Sequence, residues 1–153
     1  MITNNLDTLK MKSEPITEDE LEIIIQALED DLSATNGHGV GLSGIQISIP
    51  KRVAIIRHTR KVKIHGTKKE ITDSYNLYNA EIIEKSQPFI YKNEGCLSVP
   101  GEYINTNRYN RVKIKNGNGE IYDFSGFLAV VAQHEIDHWD GILFSDRAVK
   151  ENV

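Results

Sequence analysis

At 153 residues and 39% hydrophobic side chains, the chain can close one core and is short for two domains, so residues 1–153 are expected to form a single catalytic unit. A net charge of -4 and a pI near 5.7 speak against a nucleic-acid backbone binder with its basic stripe, and against direct DNA binding. No apolar run reaches the roughly 20 residues of a membrane span, and residues 1–10 lack a basic start followed by an apolar core, so a cytosolic location is the default.

In chain order, Thr17-Glu18-Asp19-Glu20 reads as a capping box, with Thr17 as N-cap and Glu20 reaching back to it. Leu21, Ile24, Ile25, Leu28 and Leu32 recur at helical spacing, so the pattern predicts a helix from about residue 18 to 35, stopped by Asn36-Gly37. The glycine-rich stretch from Gly39 to Gln46 lacks the Lys-Ser/Thr of a phosphate loop, and no clear strand precedes it as a dinucleotide fingerprint requires. Lys51 to Arg57 is β-branched and apolar, a buried strand. Lys61–Ile64 and Glu70–Ser74 flank a Gly66-Thr67 turn as a hairpin, and Lys61, Lys63, Lys68 and Lys69 read as a solvated loop. Tyr75 to Glu84 reads as one further strand, and Lys85 to Asn93, with Pro88, as a connector.

The single cysteine, Cys96, lies between Gly95 and a Pro100-Gly101 turn, on constrained backbone outside any core strand. With no partner for an intramolecular disulfide, it is a core residue, a reactive thiol or a metal ligand. Arg111–Lys115 and Glu120–Phe124 form a hairpin about Asn116–Gly119. Ser125 is the expected cap of a last helix over about 126–139, ending near Gly141.

That helix carries His134-Glu135-Ile136-Asp137-His138. Residues four apart project from nearly one helix face, so His134 and His138 can grip one metal ion, with Glu135 beside it to handle protons. Long-motif zinc peptidases add a third histidine, where this chain has Phe144. Families that use a distant glutamate need more chain after the helix, and Glu151 is the only one there. The third ligand is therefore expected upstream, and Cys96 is the best candidate. Two imidazoles and a thiolate suit a divalent transition metal and leave a coordination position for water. His38, His58 and His65 have no spacing that suggests a fourth ligand. The elements together predict an α+β fold: mostly antiparallel strands around a central metal-binding helix, with a second long N-terminal helix outside.

Three blocks in this order, GVGLSGIQ, EGCLS and QHEIDH, resemble the signature blocks of the peptide deformylases, and the similarity runs from about Leu9 to Arg147. The resemblance implies a hydrolase that removes the formyl group from the N-terminal formyl-methionine of nascent peptides. It implies Cys96, His134 and His138 as metal ligands and Glu135 as general acid/base. Gln46 and the Leu97 N–H become donors to the oxyanion. The first-block glycines, Gly39 and Gly41, would let the substrate backbone lie along the loop, Glu94 and Gly95 would serve its opposite side, and Val40, Val130 and Val131 would form the methionine pocket. It further implies an oxygen-sensitive ferrous ion (Fe2+), with Ni2+, Co2+ or Zn2+ as substitutes. It points to a cytoplasmic monomer that meets nascent peptides and the ribosome, in a bacterium or, for a phage-encoded member, in its host. The alternative from another class is a degenerate metal-binding or ribosome-associated module that has lost turnover; intact Glu135 and Gln46 argue against it. Three features depart from the family pattern. Ser43 and Gly44 replace two alanines, which suggests a more flexible loop, and Tyr103 stands where some members have arginine. The chain also stops at Val153, short of the extension many bacterial members carry, in the manner of trimmed phage-type versions.

Overall fold

The computed structural model describes residues 1–150, so Glu151, weighed above as a ligand, lies outside them. After a short helix α1 (Leu6–Leu9) comes α2 (Glu18–Ser33). Its Glu20 carboxylate accepts from both the backbone N–H and the hydroxyl of Thr17 at 3.2 and 2.9 Å, as the capping signal predicted. Strand β1 (Gly41–Ser43) runs into a single 3₁₀ turn, Gly44–Ile47. The long strands β2 (Val53–Ile64), β3 (Thr67–Tyr78), β4 (Glu81–Cys96) and β5 (Val99–Lys115) follow, then β6 (Ile121–Ser125), α3 (Phe127–Trp139) and a last 3₁₀ turn, Phe144–Arg147. The strands form two antiparallel sheets, ordered β1-β2-β3 and β4-β5-β6, so the α+β expectation holds.

The run Val53-Ala54-Ile55-Ile56 explains how the layers stack. Successive side chains on a strand point to opposite faces. Val53 and Ile55 meet Ile24, Leu28 and Leu32 of α2, while Ala54 and Ile56 join Ala129, Ala132, Ile136 and Trp139 of α3. A strand covered on both faces must be apolar throughout, which is what this run is. Trp139 is fully buried and donates its indole N–H to the Val53 carbonyl at 3.2 Å, so its one polar group is satisfied. Ser13 N–H donates to the Trp139 carbonyl at 2.8 Å and ties the N-terminal segment to the end of α3.

Several local expectations need correction. The span Tyr75–Glu84 is two strands, broken at Asn79, whose φ of 45° turns the chain from β3 into β4. Lys85–Asn93 is strand, not connector: Pro88 sits opposite Tyr109 on β4, an edge strand where a missing N–H disturbs no neighbour on the outer side. The lysines do not stand in a loop, because β2 and β3 pair without interruption to Ile64↔Thr67 around a two-residue His65-Gly66 turn. Both turn residues have positive φ, 50° and 78°, the geometry that matches strand twist in a tight hairpin. Helix α3 is preceded by Gly126 (φ 65°) rather than capped by the Ser125 side chain.

Candidate metal centre

Each ligand candidate is placed by a different piece of local physics. β4 loses register at Glu94 and again at Cys96, which ends the strand and pairs with Val99 across the Leu97-Ser98 turn. These irregularities turn the cysteine toward α3. His134 and His138, one helical turn apart, have ring centroids 5.0 Å apart and are both buried. The donor atoms of Cys96, His134 and His138 all lie within 4.8 Å of one another, and Cys96 Sγ is 3.6 Å from His138 Nε2. A soft sulfur and two imidazoles converging at this spacing fit a divalent transition metal.

The surrounding charges fit as well. His134 Nδ1 is 2.7 Å from Glu94 Oε2, which leaves its other nitrogen for a metal and fixes the ring. Burial opposes charge on His134, but the bonds with Cys96 and Glu94 outweigh it and raise its pKa well above the ordinary value. Negative partners that hold a proton there would also favour a cation. Burial pushes His138 the other way, with the charges of His134 and Arg108 adding to it, so His138 is a neutral imidazole suited to ligation.

Glu94 lines the same cavity, yet its carboxylate is taken up elsewhere. It accepts from Thr106 Oγ1 at 2.7 Å and from Arg108 Nε and Nη2 at 2.8 and 2.6 Å. Arg108 Nη1 continues to Asp137 at 2.7 Å, and Arg147 closes on the far side of Asp137 at 2.9 Å. Burial would raise the Glu94 pKa, but bonds from His134 and Arg108 prevail and hold it at about 2. The sequence reading missed this chain of groups. Its signal was strand parity: Val112 and Ile114 are buried, and alternate positions back along β5 reach Arg108 and Thr106 on the same inward side.

Glu135 is 4% exposed, and burial raises its carboxyl to about 7 although neighbouring His134 pulls the other way. A cation in the cluster would draw it back down. Its Oε1 has no hydrogen-bond partner among the described residues. Gly41 explains the close fit: a Cβ there would lie 2.5 Å from Glu135 Oε2. Ser43 donates its hydroxyl to the Glu135 carbonyl at 2.8 Å, fastening β1 to α3. Gln46 is held by Ser43 N–H, 3.0 Å from its Oε1, while its amide nitrogen faces Ser98 Oγ at 3.1 Å and Cys96 Sγ at 3.6 Å. The flexible loop expected from Ser43-Gly44 is therefore a buried, bonded turn. A Cβ on Gly44 would sit 2.8 Å from the Ile49 carbonyl, so this turn is packed around a glycine.

These groups form the floor of a cavity of about 450 Å³. Gly39, Val40 and Gly41 line one wall, Gly95, Leu97 and Tyr103 another, and Phe127, Val130 and Val131 supply apolar surface. Every residue to which the resemblance gives a ligand, catalytic or substrate-lining role, except His138, borders this space, and His138 lies immediately beneath through Cys96.

Comparison with known proteins agrees. The polypeptide deformylase family model matches residues 1–153. The chain belongs to the polypeptide deformylase family. It is 36% identical to a peptide deformylase of Rickettsia akari over 95% of this chain and 85% of the relative. It is 40% identical to one from Helicobacter pylori over 77% and 68% of the two chains. Among solved structures, the Met-Ala-Ser-bound class I type b peptide deformylase of Acinetobacter baumannii superposes with a TM-score of 0.77 at 33% identity, covering 96% of each chain. A probable peptide deformylase of Synechococcus phage S-SSM7 gives 0.78 at 30% identity, covering 96% of this chain and 98% of that one. Deformylases are metal-dependent hydrolases that remove the N-formyl group from nascent peptides, and the Cys96–His134–His138 cluster can hold such a metal.

Proposed function

We propose that residues 1–153 act as one catalytic domain in which Glu135 is the general acid/base for deformylation of N-formyl-methionyl peptides. The observation that carries this assignment is the buried carboxylate whose Oε1 has no partner among the described residues, bordering the same cavity as Cys96, His134 and Gln46. A divalent ion held by Cys96, His134 and His138 would polarise the formyl carbonyl and acidify a water. Ferrous ion is the metal we assign, with nickel, cobalt or zinc as substitutes.

Glu135 takes a proton from the attacking water as the C–O bond forms at the formyl carbon. Negative charge collects on the former carbonyl oxygen. The Gln46 amide and the Leu97 N–H, which has no partner among the described residues, are the donors for it. Glu135 then passes its proton to the departing α-nitrogen, the C–N bond breaks, and formate leaves a free methionine amine. Phe127, Val130 and Val131 receive the methionine side chain. The backbone beyond it runs past Gly39, Val40 and Gly41 on one side and Gly95 on the other, as an added strand. The tripeptide bound by the A. baumannii relative is a product of this kind. Glu94 acts by holding His134 in place and does not touch substrate. The enzyme works as a cytoplasmic monomer on chains leaving the ribosome.

The test is formate release from N-formyl-Met-Ala-Ser by protein loaded with ferrous or nickel ion without oxygen. Glu135→Ala should keep the metal and lose turnover by about 100-fold or more. A variant with one metal per chain and near-normal rate would remove Glu135 from the mechanism, and equal cleavage of the N-acetyl peptide would refute formyl selectivity.

A further inference from the structure

Catalysis gives no use to the outer half of the β2–β3 hairpin, none of whose residues beyond His58 borders the catalytic cavity. Its pairing is continuous, with Lys61↔Glu70, Val62↔Lys69, Lys63↔Lys68 and Ile64↔Thr67. Every residue from Lys63 to Glu70 is exposed, so this is an arm standing off the core. Residues 61–69 contain four lysines and His65 but no aspartate or glutamate.

Cross-strand partners share a face, and so do alternate residues on one strand. Lys61, Lys63 and Lys68 therefore project from one side of the arm and Lys69 from the other. Lys63 and Lys68 face each other directly, a like-charge pair that works against the hairpin. The outermost ion pair on the arm is Arg60–Asp73 at 2.9 Å, and none of the four lysines is within ion-pair distance of an acid among the described residues. A chain with net charge -4 thus concentrates unneutralised positive charge at one projecting tip, while the rest is more acidic than the total suggests. Such segregation orients the molecule: a polyanion repels the body and draws in the tip.

We propose that the tip of the β2–β3 arm docks this protein on the phosphate backbone of RNA. Alternate lysines along a strand are about 7 Å apart and act as point charges on a phosphate array. No arginine fork and no phenylalanine, tyrosine or tryptophan lies within 61–69 to read or stack on bases, so binding is independent of sequence. An anionic membrane is the weaker match, because Ile64 is the only large hydrophobic residue exposed at the tip. RNA in particular rests on the deformylase reading: the substrate emerges from an RNA-built particle, and the arm would hold the cavity near it.

The experiment measures fluorescence anisotropy of a labelled RNA duplex with the full, metal-loaded chain between 50 and 200 mM salt, beside formate release from a formyl tripeptide. With three to four phosphates neutralised, wild-type affinity should fall about 50-fold or more over that range. Lys61→Gln/Lys63→Gln/Lys68→Gln/Lys69→Gln should bind at least 10-fold more weakly at 50 mM salt, with a flatter salt slope and unchanged tripeptide turnover. Lys68→Glu, which turns the facing repulsion into an attraction and so preserves the hairpin, should also weaken binding. A control lacking Lys85, Lys92 and Lys115 should bind like wild type. The proposal fails if wild type does not bind RNA, if the control loses as much affinity as the arm variants, or if phosphatidylserine vesicles but not RNA capture the arm. Failure of tripeptide turnover in wild type would instead refute the catalytic reading, leaving the RNA measurement interpretable.

Discussion

Behind α3, Glu94, Arg108, Asp137 and Arg147 are joined in series by bonds of 2.6–2.9 Å, with Arg108 only 3% exposed. At the tip of the β2–β3 arm, four lysines stand in water with no ion pair formed among the described residues. The two regions use the same kinds of side chain for opposite ends. Desolvated charges must be paired, and once paired they fix geometry, here the ring of His134. Solvated charges fix nothing locally and act only at a distance, on whatever approaches. The glycines divide in the same way. Gly41 is needed for space, since a side chain would strike Glu135, whereas Gly66 has nothing within 4 Å and is needed for its φ of 78°.

Arg108→Ala should break this contrast most severely. It leaves the buried Glu94 carboxylate without its guanidinium and the half-buried Asp137 with Arg147 alone, so urea unfolding of the metal-free protein should show a loss of about 3–5 kcal/mol. Glu94 titrates near 2 instead of its usual 4.5, so its contribution is complete above pH 4.5 and disappears as pH falls toward 2. The variant should lose that acid-dependent part of the stability curve. A loss below 1 kcal/mol at neutral pH would mean that the network is not what holds this end together.

Gly41→Ala comes next. Its Cβ displaces the Glu135 carboxylate, and a shift of that size costs about 100-fold in kcat, while metal content measured by atomic absorption should stay at the wild-type level. An unchanged kcat would show that the carboxylate has room the packing denies it.

The smallest effect belongs to the arm. Lys63→Glu opposite Lys68 should raise thermal stability, by only a few tenths of a kcal/mol. A large change in either direction would mean that the tip is coupled to the core after all.

The same division explains what the sequence allowed one to read. Periodic and local signals were legible: the Thr17/Glu20 cap, the apolar run of β2, the β5–β6 hairpin, and the two histidines one turn apart. The turn expected at Pro100-Gly101 falls instead at Leu97-Ser98, with Pro100 and Gly101 inside β5 and Cys96 as the last residue of β4. The Glu94–Arg108–Asp137 series was not legible, because its members are 14 and 29 residues apart on different elements and each looks like a surface charge alone. Pro88 suggested a break that an edge strand did not need to make, and small residues at 43 and 44 suggested looseness where tight packing was the reason.

The two-sided covering of β2 has a consequence for synthesis. One cover, α2, precedes the strand in the chain, but the other, α3, is made more than sixty residues after it. The Ser43–Glu135 bond beneath the cavity closes a separation of 92 residues. Contacts this distant form late and slowly. Until Phe127–Trp139 has emerged, the Ala54 and Ile56 face is open to water and to other chains. A ribosome stalled before that point would release a fragment able to form α2 and its hairpin but with one sheet face bare, a strong candidate for aggregation and proteolysis.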